Sequence, residues 1–231
     1  AEAAGVGPGM SAAAARAACG ALVLRPRSPA LERSALDALC DLAAAHAPVY
    51  ERGEAGVLLG VGDMGRLFPS EAGLGASLWT QCERLGLRAR VGLASGPRLS
   101  QVAARSGEGV TVIAPGDERR FLAGLPLEAL EPGEALAARL RAFGVRGVAD
   151  LAALPRPPLA MRLGAAGVQL HRLACGEDDT PLRPTTPPAI LAELLDLDDP
   201  LDNLEALAFL LRGALDRLVV RLTVRGQALQ D

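Results

Sequence analysis

Lysine is absent from this chain, and its 24 basic side chains are all arginine. That bias reads as genome composition and carries no functional weight. Aromatic residues make up only 3 % of the chain. A core therefore has to be built from Leu, Val and Ala, which favours helices in close contact. The four cysteines, Cys19, Cys40, Cys82 and Cys175, form no CxxC pair. Their spacing supports neither a disulfide framework nor a zinc site and suits buried free thiols in a cytoplasmic protein. No apolar run reaches the length of a membrane span. The start, Ala1-Glu2-Ala3-Ala4-Gly5, lacks the basic and then apolar order of a signal peptide. No Met opens the chain, which reads as beginning inside a longer protein. The net charge of −3 argues against tight autonomous DNA binding, since neutralising phosphates needs a basic surface.

Half of the residues are apolar, so 231 residues can bury one large core or two to three small ones. Four segments stand out. Residues 1–30 are rich in Gly and Ala, with a short helix from Ser11 to Ala18 and a short strand from Ala21 to Leu24. Residues 31–125 alternate between strand and helix. A helix follows Pro29, with Leu31, Ala35, Leu36, Leu39 and Leu42 at helical spacing. Val57–Val61 reads as a strand, Ser70 to Arg84 as a helix stopped by Gly86, and Arg88–Ala94 as a strand. Leu99–Arg105 is a helix and Gly109–Ile113 a strand. This is a sheet with helices packed on it. Residues 126–186 carry only short helices and end in a proline-rich linker, Thr180–Pro188. Residues 187–231 begin an incomplete unit, with a strand at Ile190–Leu197 and an amphipathic helix from Leu201 to Arg225. The fold class is α+β.

Gly60-Val61-Gly62-Asp63-Met64-Gly65 matches GxGxxG, but Arg66 to Pro69 intervene before the next helix, so it is not a dinucleotide fingerprint. Asp196, Asp198, Asp199 and Asp202 lack the Gly and Glu of a calcium loop and read as a strand end and a helix cap. His46, His171 and Cys175 have no partner pattern and read as packing residues. The segment from Glu134 to Pro155 has helix–hairpin–helix form, turning at Phe143-Gly144-Val145-Arg146-Gly147. Backbone N–H groups at such a turn can hold a phosphate. Six arginines (Arg139, Arg141, Arg146, Arg156, Arg162, Arg172) lie around it against one acid, Asp150. DNA-backbone contact through Arg139, Arg141, Gly144, Val145, Arg146, Gly147, Arg156 and Arg162 is the favoured reading. An ordinary hairpin with a solvated arginine face is the bland alternative.

Several elements resemble the Y-family DNA polymerases, in the family's order. They are Gly5-Val6-Gly7-Pro8-Gly9-Met10, Val91-Gly92-Leu93-Ala94, Phe121 to Leu127, and Phe143 to Leu151. The resemblance implies a fingers remnant (1–30), a palm-like mixed sheet with packed helices (31–125), a helix–hairpin–helix thumb (126–186) and the start of an α/β little finger (187–231). In that family an Asp and a Glu precede the palm strand that Val57–Val61 resembles, and they hold catalytic metal. Ala55 and Gly56 stand there in this chain. Glu54 lies one residue away, but neighbouring strand residues face opposite sides, so a shift recovers one acid and not the pair. Pro97 and Gln101 replace basic residues of the family, Glu2 falls near its triphosphate-binding Arg, and Leu130 to Glu134 replaces its first thumb hairpin. Asp63 to Phe68 and Leu154-Pro155-Arg156 are similar to a polymerase-like subunit of bacterial mutagenesis complexes. That likeness implies a non-catalytic scaffold with no cofactor. Its partners would be DNA, an error-prone replicative-type polymerase, a RecA-like accessory subunit and the sliding clamp, with no membrane. Two other readings use the same residues: an active polymerase with displaced carboxylates and Mg2+, and a plain DNA-binding or interaction module.

Overall fold

Hydroxyl side chains set where the first helices begin. In the computed structural model, which describes residues 4–7, 9–62, 68, 70–188, 190–197 and 200–226, Ser11 Oγ accepts from the Ala14 N–H to start α1 (Ala12–Ala18). Ser28 does the same for α2 (Pro29–His46), with Pro29 in the first turn. Ser70 accepts from the Gly73 N–H at 3.1 Å to open α3 (Glu71–Arg84). Gly86, at φ +72°, closes α3 by letting the Leu87 N–H reach back to the Cys82 carbonyl.

Two strand ladders follow. β1 (Tyr50–Arg52) and β2 (Val57–Leu59) pair antiparallel, with Tyr50 opposite Leu59. β3 (Val91–Leu93) and β4 (Val110–Val112) pair parallel, joined through α4 (Pro97–Ser106). The single mixed sheet of the expectation is replaced, among the described residues, by two two-stranded ladders, one antiparallel and one parallel. Among the described residues side-chain packing, rather than hydrogen bonding, joins the two ladders. Leu59 of β2 lies in one cluster with Leu42 of α2, Leu74 and Leu78 of α3, and Leu93, Val110 and Val112. β1 is the strand that hydrophobic alternation does not reveal. The proline linker lies along its other edge: the Thr185 N–H donates to the Tyr50 carbonyl at 2.8 Å, and the Arg52 N–H donates to Thr185 Oγ1 at 2.9 Å.

α4 sits directly on β3. A Cβ at Gly92 would collide with the Ser100 carbonyl oxygen and the Ala104 nitrogen. The other side of α4 carries Leu99 and Val102 into a second, larger cluster. That cluster gathers Leu122 of α5 (Glu118–Ala123), Leu127 and Leu130 of a 3-10 helix (Leu127–Leu130), and Leu140 of α6 (Glu134–Ala142). It also takes Val148 and Leu151 of α7 (Val148–Ala152) and Leu159, Leu163, Leu170 and Leu173 of α8 (Arg156–Ala174). α8 breaks at Gly164, whose φ of 64° is not helical. The four cysteines are free. Burial pushes the Cys40 and Cys82 thiols above their ordinary pKa.

Two expected strands are absent. Ala21–Leu24 joins no ladder among the described residues. Ile190–Leu197 is also not a strand: it delivers the Ala192 carbonyl and the Glu193 carboxylate to arginines of α9 (Leu204–Val224). α9 starts at Asn203, whose side chain accepts from the Glu205 N–H. Its inward face is mixed: Ala214 is buried and Leu210, Leu218 and Leu222 are partly buried beside inward-facing arginines. Arg217, Arg221 and Arg225 face inward, while Leu204, Leu207, Leu211, Leu215 and Val219 face solvent. The cause is charge. Asp41 of α2 is 1 % exposed and Arg221 3 %, and a buried carboxylate demands counter-charge. Asp41 accepts from Arg221 Nε at 2.6 Å and from Arg225 Nε at 2.8 Å. Glu193 accepts from Arg221 at 2.8 Å, Ser34 at 2.7 Å and Arg217 at 3.1 Å.

Removing one partner strands the others. Asp41→Ala is expected to cost about 3–5 kcal/mol in urea unfolding, whereas Asp41→Leu combined with Arg221→Met recovers most of it. A single-variant loss below about 1 kcal/mol, the level of an exposed pair, would show that the network has no net weight. Burial pushes the Glu193 carboxyl upward, but hydrogen bonds from Ser34, Arg221 and Arg217 outweigh it and hold it below its ordinary value of 4.5. A carboxyl held low in the folded state stabilises above its unfolded pKa and loses that effect as pH falls. Below about pH 4.5 the wild type should therefore lose stability more steeply than Glu193→Gln, read as urea midpoints across an acid series.

Candidate nucleic-acid interface

Ala55 and Gly56 do not lie in a strand. Residues 53–56 form the turn that closes the β1–β2 hairpin, with the Gly53 N–H donating to the Gly56 carbonyl at 2.9 Å. The alternation argument against Glu54 therefore does not apply, because strand alternation has already ended there. Glu54 and Ala55 are both exposed at the tip. Neither Ala55 nor Gly56 has a side-chain oxygen, so the turn does not fit the paired-carboxylate cation site of the family. Among the described residues no three His, Cys, Asp or Glu side chains gather as a metal-binding group. Glu2, Asp198, Asp199 and most of the Asp63–Phe68 segment, including the last half of the GxGxxG match, fall outside the described residues.

The helical hairpin keeps its own backbone donors busy. Gly144 takes φ +83°, so the Val145 N–H bonds the Leu140 carbonyl and the Gly144 N–H bonds the Arg141 carbonyl. The Val145 side chain is buried in the helical core rather than facing a ligand. Asp150 reaches back from α7, and its carboxylate accepts from the Arg146 N–H at 2.9 Å and the Gly147 N–H at 3.1 Å. Those two N–H bonds hold the Asp150 carboxyl below its ordinary pKa. An open phosphate cradle was expected at Gly144, Val145, Arg146 and Gly147. In the structure, internal acceptors fill it, one of them a carboxylate in the place an anion would take.

The arginines divide into two sets. Arg141 pairs with Glu128 at 2.6 Å, Arg156 with Glu177, and Arg172 with Glu177 and Asp179. Hydrogen bonds from Arg156 and then Arg172 hold the Glu177 carboxyl low. Arg139, Arg146 and Arg162 have no carboxylate partner among the described residues. Arg139 donates to the Arg162 carbonyl, and the Arg162 guanidinium lies over the Phe143 ring, 5.6 Å from its centre. The local excess of six arginines over one acid is a property of residues 139–172 alone. Across residues 126–186 seven arginines meet seven acids. Surface pairs of this kind are weak, about 0–1 kcal/mol, and exchange readily for phosphate. The first hairpin is acidic: Glu131, in the left-handed region at φ 49°, pairs with Arg105.

The sequence reading missed Asp178. Its carboxylate accepts from the Arg98 N–H at 2.7 Å and the Leu99 N–H at 3.1 Å, capping α4 from a position 80 residues away in sequence. Gly96 is required there, since a Cβ would run into that carboxylate. The only local signal was the Ser95-Gly96-Pro97 start of a helix with no capping side chain of its own. Glu118 is also buried. Its own N–H, the Ser95 hydroxyl and the Gly116 N–H hold its carboxyl low. His46 and His171 make packing hydrogen bonds, to the Leu42 and Leu154 carbonyls.

The chain is similar to known proteins in sequence and in fold. The impB/mucB/samB family profile matches residues 1–105. Protein ImuB of Caulobacter vibrioides is 32 % identical over 224 residues, 96 % of this chain and 49 % of its own length. DNA polymerase IV of the same species is 39 % identical over 107 residues, 45 % of this chain and 27 % of its own. The chain thus spans about half the length of the ImuB it matches. Among solved structures, a DinB family error-prone DNA polymerase from Sulfolobus solfataricus aligns with a TM-score of 0.66 at 22 % identity, over 79 % of this chain and 57 % of that one. A Dbh ternary complex aligns with a TM-score of 0.67 at 22 % identity, over 79 % of this chain and 56 % of that one. No helix among the described residues is long and apolar enough to cross a membrane. The palm-like ladders, the helical hairpins and the ImuB likeness together make this chain similar to the Y-family DNA polymerases and their relatives.

Proposed function

We propose that the protein is a non-catalytic scaffold of translesion synthesis in damage-induced mutagenesis. In this reading it touches the DNA backbone through its helical hairpin. It brings a separate error-prone replicative-type polymerase to damaged DNA, alongside a RecA-like accessory subunit and the sliding clamp. The observation that carries the reading is the β1–β2 turn. Ala55 and Gly56 occupy it where the family resemblance places the metal-holding Asp and Glu, on an otherwise kept fold. The ImuB likeness over 96 % of the chain supports the same role. Arg139, Arg146 and Arg162, free of carboxylates among the described residues, are the hairpin's phosphate contacts. Arg141 and Arg156 join them by trading an acid for a phosphate.

One observation favours a second reading. Glu54 is exposed at the same turn. It would serve as one displaced carboxylate for Mg2+ in an active polymerase if further acids joined it.

Primer extension separates the two. With primed template, deoxynucleotides and Mg2+, the protein is expected to extend no primer. Metal-dependent extension would overturn the scaffold reading, and its loss in Glu54→Ala would assign that carboxylate. For the DNA interface, Arg139→Gln with Arg146→Gln should weaken binding to duplex. The slope of log affinity on log salt should fall by roughly 0.9 for each phosphate that is no longer neutralised. An unchanged slope would remove the hairpin from the interface. Asp150→Ala is expected to cost about 0.5–2 kcal/mol of stability through removal of a cap. It should also tighten DNA binding by freeing the Arg146 and Gly147 N–H groups. Weaker binding would show that Asp150 holds the hairpin in its binding shape.

A further inference from the structure

The tip of the hairpin carries a group that phosphate contact does not use. Phe143 caps the C-terminal end of α6, and just over half of its surface, 52 %, is exposed. The neighbouring apolar residues Leu140, Val145, Val148 and Leu151 are all buried. Nothing in the packing of the hairpin therefore needs an aromatic ring at this position. The Arg162 guanidinium lies over the ring. Arg139, one helical turn before Phe143, donates to the Arg162 carbonyl and ties the two helices together beside it. Met161, on α8 next to Arg162, is 87 % exposed.

We propose that Phe143, backed by Arg162, is a stacking platform for an unpaired base of single-stranded DNA. This rests on the reading that the hairpin contacts DNA. A guanidinium over an aromatic ring holds it by cation–π attraction, and the ring's remaining exposed surface offers room for a second planar group. Every base has such a plane, and stacking on an aromatic side chain is tolerant of sequence. Arg139 and Arg146, without carboxylate partners among the described residues, stand within the same hairpin to meet the flanking phosphates. An acidic protein segment would satisfy the cations but would leave the ring unused. Single-stranded DNA uses both.

Fluorescence anisotropy on three probes tests this: oligo-dT, a blunt duplex, and a primer-template with a single-stranded overhang. Phe143→Ala should weaken oligo-dT and the overhang probe about 5- to 150-fold, the range for one stacked base. It should leave the blunt duplex and the salt slope unchanged. Phe143→Trp should restore binding, and oligo-dT should quench its emission beyond the change seen for Trp79 in the parent protein. Equal losses on all three probes, or no loss on any, would overturn the platform. So would competition by polyglutamate that matches oligo-dT charge for charge. If Arg139→Gln with Arg146→Gln leaves every probe unaffected, the hairpin–DNA reading fails with it. If only the Phe143 effects are missing, that reading stands and the platform alone is refuted.

Discussion

The fold depends on α4 being buried on both sides. One side lies so close to β3 that residue 92 can carry no side chain. The other side inserts Leu99 and Val102 into the helical core. A helix shared in this way couples the strand ladders to the hairpins, so neither unit can shift without disturbing a close-packed surface. Asp178 closes the arrangement. It arrives at the end of the helical segment and caps the first turn of α4. The exit of one unit is thereby fastened to the entry of the other by a charge-assisted bond.

A single electrostatic habit recurs across the molecule. Where a helix start or turn would receive an external anion, a carboxylate of the chain sits instead. Asp150 holds the hairpin amides, Asp178 the start of α4, and Glu118 the Gly116 N–H. The pairing of Glu131 with Arg105 adds negative charge at the first hairpin. Helix starts and turns of this kind can hold a phosphate when their donors are open. Here these three donors or donor pairs are satisfied from within, and Arg139, Arg146 and Arg162 of the second hairpin keep no carboxylate partner among the described residues.

Local signals explain which parts were legible beforehand. Ser11 and Ser70 are strong caps and Pro29 suits a first turn, and the helices they open begin where these residues place them. The β-branched run Val110–Val112 and the Gly-containing β3 are strands because their pattern and their tertiary setting agree. β1 was hidden because its pairing is set by β2 and by Thr185, a residue 133 positions from Arg52. Ile190–Leu197 has a strand-like composition, but the arginines of α9 claim its carbonyl and carboxylate groups first. The arginine cluster was visible. Its neutralisation was not, because Glu128 and Glu177 lie outside the helices that carry the arginines they meet. Asp178 could not be read from the residues around α4 at all.

α9 is attached by buried charge as well as by apolar packing. Arg217, Arg221 and the adjoining Arg225 turn inward among the partly buried Leu210, Leu218 and Leu222 and the buried Ala214, while Leu204, Leu207, Leu211, Leu215 and Arg212 stay in water. The two kinds of attachment respond oppositely to heat. The cost of desolvating ions falls as temperature rises, while the gain per unit of buried apolar surface levels off. Warming therefore strengthens the junction between α9 and α2 relative to the leucine cores, and cooling shifts the balance the other way. Within one chain, the seam that holds the C-terminal helix and the cores that hold the rest are tuned to different ends of the temperature scale.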